Sequence, residues 1–205
     1  MSEFKPKGLV ICVSGPSGVG KGTIIDELRR ISPDTIHSIS VTTRTPRPGE
    51  IDGVHYYFRT TEEFEQMMSR GDILEHDCYC GNYYGTPRAP LIEATEQGHD
   101  VVMDVTVPGS LAVMKNFPDA VTLFLLPPSF TELRRRLTRR GTEDQEVVER
   151  RLQKARDEIE KTRLFQYVVV NDEIQQTARK ILSIVEAERC RYEQMAGIEK
   201  LIMSK

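Results

Sequence analysis

Nine residues near the start of the chain, Gly15-Pro16-Ser17-Gly18-Val19-Gly20-Lys21-Gly22-Thr23, crowd four glycines and a lysine into one run. Glycines let successive backbone N–H groups turn inward, so such a run can surround an anion with donors. If a helix follows, its N-terminus adds partial positive charge. Lys21 supplies a full charge where the β and γ phosphates of a nucleoside triphosphate would lie. The run nearly fits the pattern Gly, four residues, Gly-Lys-Ser/Thr. Gly22 stands where that pattern has its magnesium-binding hydroxyl, which leaves Thr23, or water and nucleotide oxygens, to serve the ion. Such a loop implies triphosphate binding and names no reaction.

Three further groups could act on phosphates. Arg44 and Arg47 flank Pro46 at a spacing that can aim both guanidinium forks at one phosphate. Asp104 ends the apolar run Val101 to Met103, a place suited to holding magnesium-bound water or orienting the glycine loop. Arg134, Arg135, Arg136, Arg139 and Arg140 crowd one predicted helix, where Arg136 and Arg140 share a face.

The elements that must position these groups are legible as alternating strands and helices. Gly8 to Ser14 reads as a buried strand, and Ile24, Ile25, Leu28 and Ile31 recur at helical spacing until Ser32-Pro33-Asp34. Thr35 to Val41 predicts a second strand. Residues 42–84 are polar and rich in Gly, Pro, Arg and Tyr, with strand signals at Val54 to Phe58 and Ile73 to Cys80 and a short helix at Thr61 to Ser69. They read as a small inserted subdomain. Pro87 to Gln97 and Ser110 to Asn116 predict helices, and Asp100 to Val105 and Ala120 to Leu126 predict strands. Ser129 to Arg140 predicts a helix capped by Gly141, Gln145 to Thr162 another, Tyr167 to Val170 the last strand and Ile174 to Val185 the closing helix. This alternation predicts an α/β fold: a parallel sheet with helices on both faces, about 8–41, 87–135 and 153–188, plus an insert at about 42–86 and a helical lid at about 136–152.

A net charge of −3 over 205 residues argues against general nucleic-acid binding. No apolar run reaches bilayer-spanning length, and Met1 to Lys7 lacks a signal-peptide core, so a cytoplasmic protein is the expectation. Cys12, Cys78, Cys80 and Cys190 do not complete a metal-site spacing.

The segment Ser38-Ile39-Ser40-Val41-Thr42-Thr43-Arg44-Thr45-Pro46-Arg47-Pro48-Gly49-Glu50, with Asp52-Gly53-Val54-His55-Tyr56-Tyr57-Phe58, closely resembles the GMP-binding segment of guanylate kinases. The resemblance continues through Glu75, Gly81 to Thr86, Arg140-Gly141-Thr142-Glu143, Arg150-Arg151-Leu152 and Val170-Asn171-Asp172, in family order over almost the whole chain. It implies a P-loop fold that moves a phosphoryl group from ATP to GMP with Mg²⁺. It assigns the run Gly15 to Thr23 to ATP, Arg44, Arg47, Tyr56 and Tyr84 to the GMP phosphate, and Glu75, Ser40 and Thr86 to the base. Guanine presents N1–H and a 2-amino group, which a carboxylate matches with two acceptors; adenine does not. Arg136, Arg140 and Arg151 match arginines that close over the triphosphate, and the resemblance implies that they are catalytic together with Lys21 and Arg44; Asn171 and Asp172 match a pair near the adenine.

One run departs. Where the family has Asp-x-Asp/Glu-x-Gln-Gly, this chain has Asp104-Val105-Thr106-Val107-Pro108-Gly109. The resemblance implies that the missing acid helps read guanine, so Thr106 is expected to offer one weaker hydrogen bond, with reduced guanine affinity or looser base choice but no loss of phosphoryl transfer. Two other readings stay open: a kinase of another small phosphate acceptor, and a non-catalytic guanylate kinase-like binding module.

Overall fold

A computed structural model describes residues 6–79, 81–138 and 145–204. The chain begins with β1 (Val10–Ser14), whose five residues are all buried. The period-two alternation of a strand sends Ile11 and Val13 to one face and Val10 and Cys12 to the other. The first pair packs with Ile24, Ile25 and Leu28 of α1 (Lys21–Ile31), and the second with Met103 and other apolar residues of the opposite face. A strand buried on both faces needs helices on both, and that requirement organises the rest of the fold.

After α1 come β2 (Ile36–His37), β3 (Val41–Thr42), β4 (Tyr57–Phe58), α2 (Thr61–Ser69), β5 (Ile73–Tyr79) and β6 (Asn82–Pro87). Then follow α3 (Arg88–Glu96), β7 (Val101–Asp104), α4 (Val107–Asn116), β8 (Val121–Leu126) and α5 (Phe130–Thr138). The last elements are α6 (Gln145–Ile159), β9 (Tyr167–Val170), α7 (Ile174–Arg189), α8 (Tyr192–Met195) and α9 (Ile198–Met203). Two sheets form. The first has the order β2-β7-β1-β8-β9 and every pairing in it is parallel. The second has the order β4-β3-β6-β5 and is mixed. Helices α1 and α7 cover one face of the first sheet, while α3 and α4 cover the other.

Four expectations are corrected. The extended segment predicted as one strand over Thr35 to Val41 is shared between the two sheets: Ser38 N–H still donates to Val102 O (2.9 Å), whereas Ser40 O accepts from Tyr57 N–H (2.9 Å). In the region Val54 to Phe58 only β4 is a strand, beside an isolated bridge between Asp52 and Tyr56. The helix predicted to run to Thr162 ends at Ile159 and tightens into a 3₁₀ turn, Glu160–Leu164, which delivers Phe165 against Phe124 (ring centroids 4.9 Å apart). Strand β6 was hidden in the tyrosine- and glycine-rich run after Gly81, and its pairing with β5 is what gives the second sheet its length. Cys80 and the predicted cap Gly141 lie outside the described residues; Cys12, Cys78 and Cys190 are free thiols.

The second sheet has two unlike faces. Gly85, opposite His76 in register, lies under Phe64 of α2: a Cβ there would meet Phe64 Cζ and Ile73 Cγ2 at 2.9 Å each. Phe64 also stacks on Tyr83 (5.1 Å). That face is the subdomain's small core. The other face carries Glu75 opposite Thr86 and Asp77 opposite Tyr84, and it looks across at the carboxyl ends of the first sheet.

Candidate active site

Strand β1 ends at Ser14 and the glycine run turns directly into α1. Gly15, Gly18 and Gly20 have φ of 147°, 86° and 101°, values that side-chain-bearing residues rarely adopt. Packing adds a second constraint. A Cβ on Gly15 would lie 2.5 Å from Leu125 O, one on Gly18 would lie 2.6 Å from Leu137 Cδ2, and one on Gly20 would lie 2.9 Å from Asn171 Nδ2. A Cβ on Gly22 would meet nothing within 4 Å, so packing does not forbid a hydroxyl residue at this position. Lys21 Nζ donates to Gly15 O (3.1 Å) and stands 3.8 Å from Asp104 Oδ1. The loop, the lysine and the strand acid are therefore one unit. The Asp104 side chain is 37% exposed, yet the atoms packed around it raise its pKa by partial desolvation, while Lys21 and His37 pull it down.

The loop is braced from α5, α6 and the end of β9. Asn171 Nδ2 and Arg136 Nη1 both donate to Val19 O, at 2.7 and 3.0 Å. Arg136 Nη2 also donates to Asn171 O (3.2 Å), and Glu132 orients the same guanidinium through Nε (2.8 Å). Arg151 Nη2 donates to Ser17 Oγ (2.8 Å). Gly20, Thr23, Arg136, Asn171 and Asp172 line one cleft of about 290 Å³ on this side. Thr23 faces this cleft and not the cavity that Asp104 lines. Arg140 lies outside the described residues. Arg134 pairs with Glu149 and Arg135 with Glu132.

On the other side of Asp104 is a cavity of about 240 Å³, lined by Ser40, Tyr56, Glu75, Asp77, Tyr84, Gly85, Asp104, Val105 and Thr106. Glu75 is 7% exposed, and its Oε1 accepts from Thr86 Oγ1 (2.7 Å). Burial raises its pKa, opposed by Thr86 and reinforced by Asp77. Tyr56 and Tyr84 meet edge to face (6.0 Å), and the Arg44 guanidinium lies over the Tyr56 ring (5.5 Å). Glu50 ties the arginine loop together: Oε1 accepts from Arg44 Nη2 (2.9 Å) and Oε2 from Arg47 N–H (2.7 Å). Arg44, then the Arg47 N–H, holds the Glu50 pKa down to about 2. The Arg47 side chain is exposed.

Thr106 lines this cavity as the N-cap of α4. Its Oγ1 accepts from Gly109 N–H (3.2 Å), with Pro108 in the first turn. A threonine hydroxyl has two lone pairs, so capping takes half the acceptor capacity expected of Thr106 toward a base. Its carbonyl accepts from Ser110 N–H (2.9 Å) and Ser110 Oγ (3.0 Å), anchoring the helix start.

The glycine loop is thus joined through one aspartate to a second cavity that holds a buried carboxylate. The guanylate kinase family model matches residues 7–188. The chain belongs to the guanylate kinase family. Guanylate kinases from Desulfitobacterium hafniense (strain Y51) and Oceanobacillus iheyensis are 50% and 48% identical to it. The first alignment covers 90% of this chain and 92% of the relative; the second covers 98% and 97%. The crystal structure of guanylate kinase from Anaplasma phagocytophilum superimposes with a TM-score of 0.80 at 33% identity. That match covers 99% of this chain and 97% of the other. The protein is thus an α/β kinase that transfers phosphoryl groups between ATP and GMP, and no described helix is long and apolar enough to cross a membrane.

Three residues of this guanylate kinase escaped sequence reasoning. Glu50 has no local sequence signal for its role, since its partners Arg44 and Arg47 meet it only in the folded loop. Asp77 alternates with Glu75 on β5, a period-two signal in the sequence. Glu158 is 8% exposed on α6, and its environment includes the Ser17 backbone and Lys21. Its position three residues after Ala155 puts a charge on the helix's buried stripe, which was a readable anomaly.

Proposed function

We propose that the cavity between Asp104 and Glu75 binds GMP and that the glycine loop holds the ATP phosphates, with transfer occurring where the two meet. The observation that carries this reading is the Lys21–Asp104 contact of 3.8 Å, which joins the loop to a cavity containing a buried carboxylate and two tyrosines. Glu75 accepts from guanine N1–H and the 2-amino group, while Ser40 and Thr86 serve the base edge. Arg44, Arg47, Tyr56 and Tyr84 hold the GMP phosphate. Gly15, Pro16, Ser17, Gly18, Val19, Gly20, Lys21, Gly22 and Thr23 form the ATP phosphate cradle. Among the described residues the buried Asn171 Oδ1 has no hydrogen-bond partner, which fits a donor such as the adenine amine, with Asp172 beside it.

In the reaction a GMP phosphate oxygen bonds to the γ-phosphorus while the bond to the β–γ bridging oxygen breaks. The acceptor is already an anion, so no side chain need remove a proton. Lys21, Arg136, Arg151 and Arg140 supply positive charge to the transferring group, the dominant demand of phosphoryl transfer. Among the described residues no cluster of three or more His, Cys, Asp or Glu side chains could cage a metal. One carboxylate beside a phosphate loop suits magnesium, which keeps most of its waters and takes substrate oxygens. Asp104 would hold it through water, and the ion would supply further charge neutralisation. The free thiols suit a reducing compartment, and we place the enzyme in the cytoplasm.

The test is ADP formation from Mg·ATP with GMP, AMP, CMP, UMP or no acceptor. Strong preference for GMP is expected. Equal or better turnover of another monophosphate would overturn the assignment of Glu75 as the base reader, and loss of acceptor dependence would overturn the cavity assignment.

A further inference from the structure

Among the described residues Asp77 is the one carboxylate lining the acceptor cavity to which the proposed chemistry gives no role. It lies two residues beyond Glu75 on β5, so both side chains project from the same face, their Cα atoms about 6.7 Å apart. It is partly buried, and it sits directly opposite Tyr84, as Glu75 sits opposite Thr86. Its Oδ1 accepts from the neighbouring Cys78 N–H (2.8 Å), and among the described residues it has no ion-pair partner. Its second oxygen is left for something that enters the cavity.

The opposite wall explains what is lacking. Thr106 has half its acceptor capacity taken by Gly109 N–H. Glu75 has one oxygen already bonded to Thr86. A guanine edge brings three N–H bonds into this space, one on N1 and two on the 2-amino group. Glu75 can meet N1–H and the nearer amino N–H; the further amino N–H then needs an acceptor, because a buried donor left unpaired is costly. A carboxylate is the acceptor that answers a polarised amine best.

We propose that Asp77 is a specificity-determining residue that accepts from the outer N–H of the guanine 2-amino group. It does from β5 what a carboxylate at position 106 would do from the helix wall. The two acids side by side would repel in an empty cavity, and the donors of guanine relieve that repulsion. An inosine base keeps N1–H for Glu75 but lacks the 2-amino group, so it leaves Asp77 without a donor.

This rests on Glu75 reading the base, and the experiment separates the two ideas. kcat/KM is measured with GMP and with inosine monophosphate for the unaltered enzyme and for Asp77→Ala, Glu75→Gln and the double variant Asp77→Ala/Thr106→Asp. Aspartate is also a good N-cap, so the last change keeps the start of α4. The preference for GMP over the inosine nucleotide should fall about tenfold or more in Asp77→Ala, the amount expected of one lost charge-assisted bond. It should return when the acid is moved to position 106. An equal loss for both nucleotides, or no loss, would overturn the role of Asp77 while leaving Glu75 intact. If Glu75→Gln does not alter use of either nucleotide, the base-reading assignment itself fails.

Discussion

Replacing Gly109 by alanine should damage GMP recognition while sparing the fold. Gly109 lies in the first turn of α4 with an ordinary negative φ, so alanine can take its backbone conformation. Helix propensity even favours the change by about 0.8–1 kcal/mol. The new Cβ, however, would lie 2.4 Å from Glu75 Oε2 and 3.3 Å from Glu75 Cδ. Non-bonded heavy atoms meet favourably at about 3.5 Å. The carboxylate must therefore retreat by roughly 1 Å, more than a hydrogen bond tolerates. Glu75 is the flexible partner, so the cost falls on its orientation and not on the helix. A charge-assisted hydrogen bond contributes about 1.5–3 kcal/mol, so kcat/KM for GMP should drop about ten- to a hundredfold. The KM for ATP at saturating GMP should not change, and the melting temperature should move by only a few degrees. Titration of each nucleotide in an ADP-release assay, with a thermal melt alongside, measures all three. A Gly109→Ala enzyme with GMP kinetics within twofold of the parent would refute the placement of Glu75 against this helix as the base reader.

Lys21→Met should lower kcat by about a hundredfold or more, since a charge aimed at the transferring group is lost, with an unchanged circular dichroism spectrum. Asn171→Ala removes the buried bond to Val19 O (2.7 Å) and should cost about 1–3 kcal/mol of stability, read by denaturant unfolding. The raised pKa of Glu75 predicts that kcat/KM for GMP falls on acidification, starting above the pH of about 4.3 at which free glutamate titrates, and that Glu75→Gln lacks this limb. The sign for stability is the opposite. A carboxyl whose pKa is raised by folding stabilises the fold below its unfolded pKa, and that contribution is lost as pH rises through the folded value. Glu75→Gln should therefore flatten part of the pH dependence of unfolding.

Local chemistry was legible in the chain. The glycine spacing before Lys21 meets a backbone demand, since φ of 86° and 101° at Gly18 and Gly20 leaves little choice of residue. The apolar runs around β1, β7 and β8 are continuous because those strands are buried on both faces, which is why an α/β sheet could be read from them. The helices α1, α2 and α7 follow from apolar spacing and, for α2, from the capping pair Thr60 and Glu63.

Other features depended on partners distant in the chain. Nothing local divides residues 35–42 between two sheets; that division follows from Val102 lying beside Ser38 and Tyr57 beside Ser40. Glu50 becomes a clamp only when the loop folds back on Arg44. Thr106 is an N-cap because α4 starts immediately after it, so a position read as a weakened base contact is also half committed to the helix. Asp77 acquires its setting only when β5 pairs with β6 and turns that face toward Asp104. The sequence determined which residue types could bind phosphate and how the backbone must turn to let them. Tertiary structure decided which carboxylates share one cavity, because strand register and helix packing, not spacing along the chain, set the distances between them.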